Sequence, residues 1–352
     1  MNAPMKQPFH ASMTPSASAR SPFQDRFQRP VEKLRISLTD RGNFRCTYCM
    51  PAEGLPWLAE ESGLSNAEIL RLARLFMQGG VRQVRLTGGE PLLRKELLPL
   101  VKALAALPLQ KLAMTTNATL LPQYAEALYL NGLRSFNVSL DSLVPERFAQ
   151  AVRRDALDKV KAGLHQLSTL EKAHGHPCEV KINNVIMKDF NEDEVLDFAA
   201  LARAEGWSIR FIEFMPLGKD DHWSHNVVVP GAELLTRIQA KYPLVAKEKA
   251  GKNPASRWCF ADGSPGEIGF INSVSEPFCA QCNRVRLTAD GQLRNCLFSL
   301  EEQNVASLMR SGASDDEIYA FISEAIWKKE AGHLINSPGF QRPNRTMSSI
   351  GG

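Results

Sequence analysis

Short runs of apolar and β-branched residues recur along the first two thirds of the chain, at Leu34 to Leu38, Val81 to Leu86, Lys111 to Met114, Ser135 to Leu140, Val180 to Ile186 and Ile209 to Phe214. Runs this short, each bounded by polar residues, read as strands. Between them lie helical stretches: Asn66 to Gln78 places Ile69, Leu72, Ala73 and Phe76 on one face, and Glu192 to Glu205 is another. The alternation predicts βα units around a parallel sheet, and six such units predict an α/β fold of incomplete (β/α)6 TIM-type barrel form.

Each run is followed at once by polar or glycine-rich residues: Thr39-Asp40-Arg41, Thr87-Gly88-Gly89-Glu90-Pro91, Thr115-Thr116-Asn117, Asp141-Ser142, Lys188-Asp189 and Met215-Pro216. Ligands of parallel α/β folds collect at that edge, where loops and helix N-termini converge. After Pro216 the rhythm fades into a region expected to be irregular and to cover the open side of the barrel. The expected division is a disordered tail over 1–30, the barrel over 31–217 and a lobe over 218–352.

Composition narrows the class. Hydrophobic residues at 44% and charged ones at 23% suit a globular protein. The longest apolar stretch, Leu97 to Leu109, is broken by Pro99, Lys102 and Pro108, too short to span a bilayer. The first thirty residues hold five prolines and no apolar block, so they do not read as a secretory leader. Seven cysteines without such a leader point to a reducing, cytoplasmic setting, where close-set thiols bind metal or do redox work. A net charge of +4 is too slight for nucleic-acid wrapping, so any anion site is local.

Two cysteine groups carry the candidate chemistry. Cys46 and Cys49 form a CxxC in the loop after the first run, and alone they fit a redox pair, half a zinc site or an iron-sulfur site. Cys279 and Cys282 form a second CxxC, with Cys296 after thirteen intervening residues; three thiolates suit zinc, with Cys259 as a fourth ligand, or a 4Fe-4S cluster. The Thr87-Gly88-Gly89-Glu90-Pro91 segment lets backbone approach a ligand and adds a carboxylate able to hold an ammonium group, although an ordinary strand-to-helix turn has the same composition.

Together these segments resemble the radical S-adenosylmethionine superfamily, and within it the GTP 3',8-cyclase family of molybdenum cofactor biosynthesis. The resemblance runs from about Leu34 to Gly352 through LRISLTDRGNFRCTYCMP, RLTGGEPLLR, TTN, NVSLDS, VKINNVIMKDFN, RFIEFMPLG, EPFCAQCNRVRLTADGQLRNCLF and the final Gly351-Gly352. It implies two 4Fe-4S clusters, one in the barrel that binds S-adenosylmethionine and one on Cys279, Cys282 and Cys296 that offers an open iron to the purine. Tyr48, Gly89, Glu90, Ser139 and Met215 then line the S-adenosylmethionine pocket, and Arg35, Arg85, Thr115, Lys181, Arg284, Val285 and Arg286 bind GTP. Most of the second set are basic, as a triphosphate requires. The resemblance further implies an electron donor, the cyclic pyranopterin monophosphate synthase as downstream partner, and an open question of homodimer or monomer.

The chain departs from its family at one position. The barrel motif is CxxxCxxC, and Gly42 stands at its first cysteine, leaving Cys46 and Cys49. Asp40 is a hard oxygen donor and a poor substitute for a thiolate. Cys178 and Cys259 have no assigned role. The barrel cluster is therefore expected to be unstable or absent while the fold and GTP site persist. Two rival readings follow: a non-catalytic GTP-binding relative, and a radical enzyme of another class such as a peptide-modifying one. His174, His176, His222 and His225 read as exposed loop residues, and Glu192, Asp193 and Glu194 as an acidic helix start.

Overall fold

The six runs are strands in the computed structural model, which describes residues 20–51, 53–54, 56–217, 223–248 and 252–351. They are β1 (Lys33–Ser37), β2 (Gln83–Thr87), β3 (Lys111–Thr116), β4 (Ser135–Ser139), β5 (Glu179–Ile186) and β6 (Ser208–Glu213). Each pairs in parallel with the next, as βα alternation requires. The expected helix over Asn66–Gln78 is present, started by a reciprocal capping pair of Ser65 and Glu68, and it buries Ile69, Leu72, Ala73 and Phe76 as its period dictates.

The region after Pro216 is less irregular than its sequence suggests. It supplies β7 (Leu244–Ala246), β8 (Ser256–Phe260), β9 (Glu267–Ile271), β10 (Arg284–Leu287), β11 (Gln292–Arg294) and β12 (Gln303–Asn304). These extend both edges of one twelve-stranded sheet, in the order β12-β11-β10-β1-β2-β3-β4-β5-β6-β9-β8-β7. β10 lies parallel to β1 and β9 parallel to β6, so the lobe continues the barrel wall on each side. The runs were invisible to periodicity because they are short, and several lean on antiparallel neighbours only after folding.

The expected tail also needs correction over the described part, residues 20–30. Phe23 is fully buried against Phe76 and Tyr319. Asp25 and Arg29 form a buried ion pair of 2.7 Å, and Arg29 donates through its Nη atoms to the carbonyls of Cys279, Glu330 and Ala331. The arm thus clamps the loop that carries the second cysteine group. Replacing Arg29 with alanine strands the Asp25 carboxylate, which costs about 3 kcal/mol. The expected result is a melting temperature lower by several degrees, read by calorimetry.

The acidic helix start is present, leading directly into a helix over Val195–Glu205, and it also serves as a structural junction. Glu192–Glu194 is a single 3-10 turn, and Glu194 is buried, accepting from Ser142 Oγ at 2.7 Å and Leu143 N at 2.6 Å. It ties the loop after β4 to the next helix. His176 and His225 are exposed, His174 is half-buried beside Tyr129 and Glu126, and none of the three lines the cavity below; His222 lies outside the described residues.

Candidate active site

Inward-facing side chains from β1 to β6 and from β10 enclose a cavity of about 630 Å³, large enough for a nucleotide. Every residue singled out from the sequence as a site residue lines it except Val285. Val285 points the other way into the core, because alternate residues of a strand face opposite sides: Arg284 and Arg286 turn inward and Val285 outward.

At the C-terminal ends of the strands the loop after β1 folds over the loop after β2. Gly89 N donates to Thr39 O at 2.7 Å and Glu90 N to Arg41 O at 2.7 Å. A Cβ on Gly88 would lie 2.5 Å from Thr39 O, and one on Gly89 2.2 Å from Arg41 O, so both glycines are demanded by this close approach. The segment is a fitted crossing and not an ordinary turn. Glu90 is buried, accepting from Thr116 Oγ1 at 2.7 Å and Asn117 N at 2.8 Å; burial outweighs those bonds and pushes its carboxyl up to about 7.

Cys46 and Cys49 meet through a thiol hydrogen bond in the same loop, which together with burial holds the Cys46 thiol well above its usual range. Their loop is held by Arg45 N to Val152 O at 3.0 Å and Thr47 N to Ala151 O at 2.9 Å. Tyr48 donates to Asp141 Oδ2 at 2.6 Å, and burial lifts the Asp141 carboxyl to about 6. Gly42 sits on the cavity wall with these thiols. Asp40 is not placed as a substitute ligand: it does not line the cavity, and its Oδ2 accepts from Leu58 N at 2.6 Å.

The middle of the cavity is a row of guanidinium groups. Strand register sets Arg286 of β10 beside Arg35 of β1, and Arg35 beside Arg85 of β2, at the roughly 4.8 Å spacing of neighbouring strands. One step away, Arg284 pairs in register with Lys33. Burial, then Arg286, Arg85 and Arg284, press the Arg35 guanidinium well below its ordinary range; burial chiefly, then other arginines, bring Arg85 and Arg286 down to about 10. Such a row is unfavourable in the free protein and calls for a polyanion. Across the cavity Lys181 contacts Glu179, and burial lowers its ammonium despite that partner. Arg286 also donates to Gly351 O, which brings the C-terminal segment into the site; Gly352 lies outside the described residues.

The second cysteine group lies at the opposite end. Cys279 and Cys282 immediately precede β10, which runs parallel to β1, and Cys296 follows β11, which runs back. All three reach the same cavity, about one strand length, roughly 15 Å, from the first pair. Among the described residues no three potential ligands converge as a single ion needs. Cys259, on β8, is paired with Val245 of β7 and lies off the cavity wall, so it does not close a tetrahedral zinc set. Burial raises the Cys282 thiol, but Lys329 and Arg284 outweigh it and bring the group down to about 6. Lys329, itself buried, donates to Arg284 O at 2.6 Å with its Nζ 3.5 Å from Cys282 Sγ. Cys282 is therefore a thiolate at neutral pH. In the metal-free protein iodoacetamide is expected to alkylate it with a midpoint near pH 6, far ahead of Cys46, and Lys329→Met to slow that reaction at pH 7 by about tenfold, as peptide mapping would show.

Sequence reasoning missed several cavity residues. Arg210, in the quoted RFIEFMPLG segment, turns inward from β6, and Lys33, Lys111, Asp141 and His333 line the same wall. For Arg210 the strand alternation was a usable clue; for Lys329 none existed, because its contact with Cys282 is made only by the folded chain.

Two family models match the chain: Radical SAM superfamily over residues 36–202 and Molybdenum Cofactor Synthesis C over residues 207–335. A GTP 3',8-cyclase of Corynebacterium glutamicum is 44% identical, covering 97% of this chain and 93% of its own. One from Mycobacterium sp. (strain KMS) is 46% identical over 94% of each chain. Streptococcus suis SuiB bound to S-adenosylmethionine has the same fold, with a TM-score of 0.58 at 13% identity, over 89% of this chain and 76% of that one. With the twelve-stranded barrel wall and the two cysteine groups facing one cavity, this likeness along nearly the whole chain establishes that it belongs to the GTP 3',8-cyclase family of radical S-adenosylmethionine proteins.

Proposed function

We propose that the chain cyclises GTP to (8S)-3',8-cyclo-7,8-dihydroguanosine 5'-triphosphate by radical chemistry, the first step of molybdenum cofactor biosynthesis. The observation that carries this reading is the guanidinium row of Arg286, Arg35 and Arg85 between two cysteine groups. The row, with Arg284 and Lys181, holds the triphosphate by charge-assisted hydrogen bonds and fixes the nucleotide along the cavity. Thr115 belongs to the same GTP wall by its side chain, while Val285 supports it from the core. Tyr48, Gly89, Glu90, Ser139 and Met215 form the S-adenosylmethionine wall at the other end.

The donors of the second group fit an iron-sulfur cluster in their chemistry: three soft sulfur donors lining one cavity, one of them with its thiol brought down by Lys329 and Arg284. When bound, that cluster supplies an open iron as a Lewis-acidic contact for the base. The barrel group does not fit in the same way. Cys46 and Cys49 are two thiolates where the superfamily uses three, and Gly42 offers none. To this reading also belong a one-electron donor, cyclic pyranopterin monophosphate synthase as the consumer of the product, and a cytoplasmic setting. Among the described residues no helix is long and apolar enough to cross a membrane.

One observation favours a second reading, a GTP-binding relative without turnover, and it is Gly42. Equilibrium binding of GTP together with anaerobic turnover under a strong reductant separates the two. Product and 5'-deoxyadenosine support the enzyme. Tight GTP binding without either supports the relative, and no GTP binding overturns both.

A further inference from the structure

Beyond the guanidinium row the cavity wall continues through β3, β4 and β5. Strand register lines up Thr115, Asn137 and Lys181 across it, one residue from each strand, and all three line the cavity. Asn137 is 4% exposed, and its Oδ1 is buried with no hydrogen-bond partner. Buried polar atoms are nearly always paired, so an orphan on the wall of a cavity marks a group that a ligand completes.

This orphan is an acceptor and needs a donor. Phosphate oxygens accept, so the triphosphate does not complete it, whereas Arg210 Nε, orphaned on the same wall, is a donor and suits them. A nucleoside triphosphate carries donors in two places, the sugar hydroxyls and the N–H groups of the base. Position separates the two. Asn137 is the central residue of β4 (Ser135–Ser139), with Ser139 of the S-adenosylmethionine wall two residues toward one end of the cavity and the second cysteine group at the other end. In the proposed function the base points to that second group and the reacting sugar faces S-adenosylmethionine, so the sugar crosses the level of Asn137. An asparagine amide turns about its last bond at little cost, which lets its oxygen meet a hydroxyl there.

We propose that Asn137 accepts a hydrogen bond from a ribose hydroxyl of the bound nucleotide and so rejects nucleotides that lack it. This rests on the reading of the cavity as a GTP site, to whose wall the flanking Thr115 and Lys181 belong. A site built around a hydroxyl discriminates against an analogue without it because the amide is then left buried and unpaired.

The test is equilibrium binding of GTP, 2'-deoxyGTP, 3'-deoxyGTP and ITP, which lacks the 2-amino group of the base, to the full chain. The parent is expected to bind one of the two deoxy analogues about tenfold or more weaker than GTP. Asn137→Leu is expected to bind GTP and that analogue alike, while its ratio of GTP to ITP affinity stays at the parent's value. Asn137→Leu also melts no lower than the parent, because the amide oxygen makes no bond in the free protein. Asn137→Ala, which leaves space where leucine fills it, gives the same ratios. A parent that binds GTP and both deoxy analogues equally, or variants that keep the parent's discrimination, overturns the proposal and leaves the GTP reading standing. Loss of discrimination against ITP instead assigns Asn137 to the base and overturns it as well. A parent that binds no GTP ends the GTP reading and the proposal together.

Discussion

Gly42→Cys is expected to raise iron content after thiol-free anaerobic reconstitution by about four atoms per chain, and reductive release of 5'-deoxyadenosine by more than about 100-fold. The structure gives two reasons to expect this without rearrangement. The new Cβ enters at 3.8 Å from its neighbours, and the loop is fixed by Arg45, Arg153 and the crossing with Gly88 and Gly89. Replacing glycine where space and φ permit stabilises by roughly 0.5 kcal/mol through the unfolded chain, so the apo variant melts no lower than the parent. Unchanged iron and unchanged cleavage of S-adenosylmethionine would show that this end of the barrel is not limited by its ligand count.

The second large effect has opposite signs in two assays. Arg35 stands between Arg286 and Arg85, with its guanidinium pressed well below its ordinary range by burial and by those neighbours. In Arg35→Met the free protein loses a buried repulsion and is expected to melt higher. The same change removes charge-assisted bonds to a triphosphate, worth about 1.5–3 kcal/mol each, so GTP affinity falls by about 100-fold. Calorimetry and equilibrium binding on one preparation check both. A fall in both quantities would mean that Arg35 serves the fold instead of the ligand. Arg35→Lys is expected to recover little affinity, because an ammonium lacks the planar fork.

The barrel was legible because its evidence is local. A five-residue run such as Ser135–Ser139 followed by Leu140-Asp141-Ser142 declares a strand and its loop within a few positions. The helix over Asn66–Gln78 announces both its buried face and its cap. Arg284 and Arg286 were named from the family motif alone, since β10 carries no periodic pattern that would have separated its two faces. What escaped reading depends on contacts between distant segments. Arg29 reaches Cys279 across 250 residues and Lys329 reaches Cys282 across 47, and neither carries a local pattern. Val285 was assigned to the ligand wall with its neighbours because motif matching does not register which face of a strand a residue occupies.

The parallel pairing of β10 with β1 has a consequence for how the protein is made. Residues 33–37 leave the ribosome early, yet their partner over residues 284–287 emerges only after about 250 more residues have been made. Until then β1 has an unpaired edge, the wall of the nucleotide cavity is open on that side, and the second set of cysteines has not been synthesised. The three thiols cannot come together before residue 296 has emerged, and a ribosome-stalled chain ending before residue 280 should not resist proteolysis at its amino-terminal arm.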